Sequence, residues 1–240
     1  MVTIVLNGFK RAKHFNKQMN SIESQTLRPS EILFWQNNGD NFDESSTKKT
    51  THAQCNKNLG VWARFAFALN AKTEYICVFD DDTIPGTKWL ENCYDTIQKN
   101  DGLLGTIGVR FQSKNSYQPI QRVGWAVPNE NVEEVDIVGH SWFFRRDWLS
   151  TFWRELPNVK SSFLVGEDIH FSYTLQKYLG KKTYVPPHPK NNMELWGSIP
   201  ESAWSIGQDS AAISMNQTHL NDMSKIYVDY INKGFKIIKK

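Results

Sequence analysis

The sequence predicts an α/β domain with a mostly parallel central sheet flanked by helices and an irregular carboxyl-terminal lid segment. Three observations carry that prediction. Short apolar runs at residues 2–6, 31–35 and 75–79 alternate with stretches of helical periodicity, and a strand–helix–strand order favours parallel pairing. Each run ends in small polar or acidic residues: Asn7-Gly8, Gln36-Asn37-Asn38 and Asp80-Asp81-Asp82. Beyond residue 186 the composition shifts to Pro, Gly, Asn, Ser and Trp, as in a long functional loop.

The elements follow in order. After the first strand, residues 12–25 place Phe15, Met19 and Ile22 at helical spacing, and Leu27-Arg28-Pro29-Ser30 breaks the pattern. The second strand leads into a polar stretch, 40–52, read as a surface loop. Asn58-Leu59-Gly60 opens a helix through Val61, Phe65, Ala68 and Leu69, and the third strand, 75–79, is followed by a helix over 89–98. Residues 103–110 and 121–127 read as strands. The apolar run 135–144 is interrupted at Gly139-His140, and a helix begins at Arg145-Arg146. Gly166-Glu167-Asp168 precedes a helix over 169–179 that stops at Gly180. A brief strand at 183–185, the irregular stretch 186–214 and a closing helix over 221–236 complete the chain.

Composition narrows the function. The 240 residues suffice for one domain with a full core. A net charge of +3, without a long basic run, gives no sign of a nucleic-acid partner. Cys55, Cys77 and Cys93 are an odd set at wide spacing, which argues against a disulfide framework and against a zinc knuckle. No apolar stretch reaches membrane-spanning length and no leader is evident, so a cytoplasmic protein is expected, in the host cytoplasm if the chain is viral.

The acidic triplet carries the chemistry. Three adjacent carboxylates at the carboxyl end of a buried strand repel one another unless a cation sits among them. Hard oxygen ligands of this kind suit Mg2+ or Mn2+, which most often bridge to phosphate. Ligands of open α/β sheets bind at this edge. A solvated acidic turn before Thr83-Ile84-Pro85-Gly86 is the competing reading.

Three motifs together resemble the nucleotide-sugar-dependent glycosyltransferases of the GT-A fold, nearest to family 2. The triplet is similar to that family's Asp-x-Asp. The stretch Asn58-Leu59-Gly60-Val61-Trp62-Ala63-Arg64 resembles its segment in which Asn and Gly precede a helix carrying Ala-Arg. Gly166-Glu167-Asp168 looks like its Glu-Asp pair at a helix start. The resemblance implies a Rossmann-like sheet and a donor that is a nucleoside diphosphate sugar, with UDP as the expected nucleotide. It implies an inverting transfer to a hydroxyl of a glycan or glycoprotein, and Mn2+ or Mg2+ as cofactor. Asp82 and Asp80 become metal ligands, with Asp80 and Asp81 beside the nucleotide and Arg64 a fixed cation near it. Asp168 becomes the general base and Glu167 its tuning neighbour. Asn7, Asn37 and Asn38 stand where the family holds the base. Here the residues depart from the usual pattern, which leaves the nucleotide open. His188, in a Pro-rich loop, corresponds to a late histidine that some relatives use as an added metal ligand. Arg145-Arg146 resembles the stretch ahead of the acceptor-side helix, and 139–142 would line the acceptor pocket. Trp196 and Trp204, near Gly197 and Gly207, would form a flexible cover.

On this reading the chain is a single domain: a donor-binding half at 1–100, an acceptor-binding half at 101–185, and a lid with closing helix at 186–240. A nucleotidyltransferase acting on sugar phosphates and a non-catalytic carbohydrate-binding module are the alternatives. The first would need a Gly-rich loop after strand one, and the second has no use for both acidic clusters.

Overall fold

The computed structural model describes residues 1–124, 127–156, 162–200, 209, 212 and 216–238. The amino-terminal half alternates strands and helices: β1 (Val2–Gly8), α1 (Ala12–Glu23), β2 (Glu31–Asn37), α2 (Glu44–Thr47), β3 (Thr51–Cys55), α3 (Ala63–Phe67), β4 (Tyr75–Phe79) and α4 (Trp89–Lys99). Every residue of β1 is buried, because it lies between β2 and β4 with helices covering the sheet. α1 turns Phe15, Met19 and Ile22 onto that sheet, the i, i+4, i+7 stripe read from the sequence.

The second half is antiparallel where it meets the first. β5 (Leu103–Phe111), β6 (Pro119–Gly124), β7 (Glu133–Val135), β8 (Ile137–Arg145) and β9 (Thr183–Val185) complete a nine-stranded sheet ordered β3-β2-β1-β4-β8-β5-β9-β7, with β6 on β5. Parallel pairing is thus concentrated in β3-β2-β1-β4, and β8 enters antiparallel against β4. A short 3-10 turn and α5 (Leu149–Phe152) follow β8. Next come α6 (Glu167–Leu179) and, at the carboxyl end, α7 (Gln217–Asn232).

A second apolar cluster joins α7 to α6, with Met223, Ile226, Tyr227 and Tyr230 against Ile169 and Tyr173. The expected helix at 221–236 therefore starts earlier, capped by the Asn216 side chain, and ends earlier.

Two expectations need correction. The stretch 40–52 is not only loop: it carries α2 and the start of edge strand β3, which pairs parallel with β2 from Leu33↔Thr51 onward. The run 135–144 is two strands, β7 and β8, divided at Asp136, whose carboxylate accepts from the N–H groups of Phe111 and Ile238. No helix among the described residues is long and apolar enough to cross a membrane.

Candidate active site

Because β1, β2 and β4 are parallel, their carboxyl ends share one edge, and the triplet leaves β4 there. Two hydrogen bonds hold its backbone from α1: Gln18 Nε2 donates to Asp80 O and to Thr83 O, both at 2.7 Å. On the other side, Asp80 N donates to His140 O at 3.0 Å, and Thr83 Oγ1 donates to the same carbonyl at 2.9 Å. His140 has φ +65, and the β5–β8 register slips between Gly105 and Ile107 opposite it. Such bulges re-aim a side chain beside a site. Here the bulge brings His140 Nδ1 to 3.6 Å from Asp82 Oδ1. One oxygen each from Asp80 and Asp82 and one nitrogen from His140 lie within 4.8 Å of one another. Two carboxylates and an imidazole at this spacing fit a divalent cation, and the nitrogen donor suits Mn2+ better than Mg2+.

Two buried arginines divide the surrounding carboxylates. Arg64 is only 1% exposed. It pairs through Nη1 with Asp80 and through Nη2 with Glu167 Oε1 at 2.7 Å, while its guanidinium lies 4.6 Å from the Trp142 ring. Arg11, at the start of α1, places Nη1 2.6 Å from Asp81 Oδ1 and 3.2 Å from Asp82 Oδ2. Its Nε and Nη2 donate to the two oxygens of Asp209, at 2.9 and 2.8 Å. Burial opposes the charge on both arginines. The carboxylates around them more than offset it and raise both pKa values.

The Glu-Asp pair sits at the head of α6. Gly166 has φ +86, and a Cβ there would meet Ile226 at 2.9 Å, so glycine is required for α7 to pack over this helix start. Burial pushes the Glu167 carboxyl up to about 8 against the pull of Arg64. Burial likewise pushes Asp168 up to about 6, although its Oδ1 accepts from Ile169 N at 2.7 Å. Asp81 rises to about 6, from burial and the charge of Asp82, with Arg11 opposing. A buried carboxyl near its titration point is what a general base needs.

The profile of "Glycosyl transferase family 2" matches residues 19–156, more than half of the chain. The chain belongs to glycosyl transferase family 2. A comparison with curated protein sequences finds no match. Among solved structures, this family 2 chain is similar to S. aureus TarS 1-349 in complex with UDP, at 16% identity and a TM-score of 0.53 over 78% of this chain and 58% of that one. It is similar to TarS 1-349 without a named ligand at 14% identity and a TM-score of 0.55, over 97% and 72%. It is also similar to the mannosyltransferase PcManGT from Pyrobaculum calidifontis in complex with GDP-Man and Mn2+, at 17% identity and a TM-score of 0.53, over 80% and 58%. The likenesses establish the GT-A fold, and the chain spans little more than half the length of two of these three structures.

Within this glycosyltransferase fold the structure brings together Asp80, Asp81, Asp82, Arg64 and Glu167, with Asp168 next in the chain. Others fall elsewhere. His188 is fully buried: its Nδ1 bonds Pro186 O at 2.8 Å and its Nε2 accepts from Gly197 N at 3.0 Å. Both nitrogens are taken by backbone, so the expected metal ligand is a packing residue, and His140 occupies the place beside the aspartates. Arg64, expected as a fixed cation, is held rigidly between Asp80 and Glu167. Asn37 is committed to the turn before α3, donating to Asn58 Oδ1 and Gly60 O and accepting from Leu59 N. Asn38 is exposed with φ +62. Asn7 Oδ1 is buried without a hydrogen-bond partner among the described residues.

Arg145 pairs with Tyr75 across β8 and β4, at the sheet edge opposite the triplet. Together with Arg146 it lines a cavity of about 400 Å³ there, away from Asp80–Asp82. Trp196 is buried, donates Nε1 to Pro189 O and packs on His188, so it anchors rather than covers. Trp204 and Gly207 lie outside the described residues. Arg11 and Gln18 carry no site expectation in the sequence, and His140, expected in the acceptor-lining turn 139–142, stands beside Asp82. Only the Gly139-His140 break in an apolar run pointed toward one of them.

Proposed function

We propose that the chain is a metal-dependent, inverting glycosyltransferase that moves a sugar from a nucleoside diphosphate donor, uridine-based, to a hydroxyl of a glycan. The observation that carries this reading is the gathering of Asp80, Asp82 and His140 within 4.8 Å, joined through Arg64 to the Glu167-Asp168 pair. Asp80, Asp81 and Asp82 lie side by side against Arg64 and Arg11, and these two guanidiniums are shared with Glu167 and Asp209, which favours a cation at the triplet.

Asp80, Asp82 and His140 would hold the cation. Bound there, it would neutralise the diphosphate and so stabilise it as a leaving group. Asn7 Oδ1 offers an acceptor to the base, with Asn38 beside it at the same edge. Asp168, deprotonated above about pH 6, takes the proton of the acceptor hydroxyl. The hydroxyl oxygen then forms its bond to the anomeric carbon as the carbon–phosphate oxygen bond breaks, and the electron pair leaves with the nucleoside diphosphate. One displacement with one base inverts the centre. Residues 1–100 thus serve the donor and 101–185 the acceptor, with the carboxyl-terminal stretch against both. The three cysteines are free thiols, which suits the reducing cytoplasm.

Calorimetric titration with UDP, GDP and their sugar conjugates, with and without Mn2+, tests the reading. Metal-dependent binding of one nucleotide, and release of that nucleotide on turnover, is expected. Binding of free glycan but of no nucleotide would point to the binding module instead.

A further inference from the structure

The Arg11 side chain is the least explained group at the site. It is 7% exposed, lies at the head of α1, and carries three carboxylates on one guanidinium. Two of them, Asp81 and Asp82, use Nη1 from the metal side. The third, Asp209, comes from 198 residues away and takes the Nε–Nη2 edge with both oxygens, at 2.9 and 2.8 Å. That paired-oxygen geometry is the one a guanidinium offers equally to carboxylate and to phosphate. Asp209 is 35% exposed at its side chain, so among the described residues it is the acid that caps this edge of Arg11 toward solvent. The backbone on either side of Asp81 and Asp82 is fastened from α1 at Asp80 O and Thr83 O and from β8 at Asp80 N, so these two acids belong to a fixed turn. Asp209 comes instead from the far end of the chain and takes the edge of the fork nearer to solvent.

We infer that Arg11 is a phosphate-binding residue of the donor site and that Asp209 is its built-in competitor, seated where a phosphate of the nucleoside diphosphate binds. The inference rests on the donor reading above and adds a residue and a competition to it. A phosphate that reaches Arg11 displaces Asp209, and the released carboxylate is repelled by the same phosphate. Affinity for the diphosphate is thereby reduced by the fraction of time that Asp209 holds the fork. The nucleoside portion does not touch this competition.

The test compares the wild-type chain with Asp209→Asn and Asp40→Asn by calorimetry. The titrants are UDP and GDP in Mn2+, and uridine and guanosine as phosphate-free controls. Asp40→Asn removes an equal charge near the same helix start, where Asp40 accepts from Ala12 N. Asp209→Asn is expected to bind the preferred diphosphate about tenfold more tightly, the factor for a fork held closed about 90% of the time. Its affinity for the matching nucleoside should stay unchanged, and Asp40→Asn should show no comparable gain. Unchanged or weaker diphosphate binding in Asp209→Asn overturns the competition. An equal gain in Asp40→Asn also overturns it, because general charge would then be the cause. If no diphosphate binds the wild type or either variant, the donor reading itself fails and the inference falls with it.

Discussion

Arg64 Nη2 lies 2.7 Å from Glu167 Oε1, although 103 residues separate them, and Nη1 of the same guanidinium pairs with Asp80. One buried fork therefore fixes the first triplet aspartate relative to the helix that carries the proposed base. The short α3 reaches this position because Gly60 (φ +78) lets the chain approach the Phe163 carbonyl, which accepts from Val61 N at 2.9 Å. Removing one partner of a buried ion pair leaves uncompensated charge and costs about 3–5 kcal/mol. Arg64→Ala should lose stability on that scale in urea unfolding. Arg64→Lys should lose less, since it keeps a positive charge beside the acids, but still lose some, since one ammonium cannot span both. A loss below about 1 kcal/mol in the alanine variant would mean that the fork does not join the two elements.

The metal group makes a prediction about donor atoms. Asp82→Asn should abolish Mn2+-dependent nucleotide binding. His140→Gln should weaken the Mn2+ requirement about ten- to a hundredfold, the loss typical even of an outer-shell partner. Mg2+-supported binding should fall less, because Mg2+ prefers oxygen donors. Metal-dependent titrations of both variants read this directly, and equal losses for the two ions would exclude His140 as a ligand.

Much of this site was legible in the sequence, and what was not has a physical cause. β4 and β9 fall on the expected residues because a buried strand leaves a continuous apolar run. The expected loop 40–52 runs into the first residues of β3 because an edge strand of sequence Thr-His-Ala-Gln-Cys, largely unburied, is held by backbone hydrogen bonds that leave no apolar signature. The triplet and the Glu-Asp pair stood out by local chemistry. Arg11 did not, because its meaning depends on Asp209, at the far end of the chain. His140 did not either, because its aim depends on a bulge that only the β5–β8 register reveals. His188 misled because a histidine in a Pro-rich loop looks exposed, whereas residues 186–200 are stitched to the 84–92 region through Ile199 N to Ile84 O and Asn92 to Pro187 O and Leu195 O.

The packing role of His188 predicts an acid sensitivity. Burial lowers its pKa from 6.5 to about 4, so the unfolded chain binds the proton more readily than the folded one. Its contribution is therefore intact above pH 6.5 and is lost as pH falls toward about 4, on the order of 3 kcal/mol in all. His170, held between Tyr230 and Phe152 O and also lowered to about 4 by burial, acts in the same direction. The difference in urea midpoint between wild type and His188→Gln, followed from pH 7 to pH 4, should shrink as the medium acidifies. A constant difference would show that His188 is not buried in its neutral form.

Asp168 sets the expected pH dependence of turnover. Burial raises its pKa to about 6, and only the ionised carboxylate can accept the proton of an attacking hydroxyl. The rate should fall about tenfold per unit below that value and level off above it. Asp168→Asn keeps the volume and the acceptor oxygen facing Ile169 N but removes the basicity. Nucleotide affinity should stay within about twofold of wild type, while kcat drops about a hundred- to ten-thousandfold. Glu167→Gln should act differently: Arg64 still holds an amide in place of a carboxyl that burial keeps protonated up to about 8, so the Asp168 titration stays near 6 and most of kcat is spared. Wild-type turnover in Asp168→Asn would exclude it as the base, and a collapse confined to Glu167→Gln would transfer the role to its neighbour.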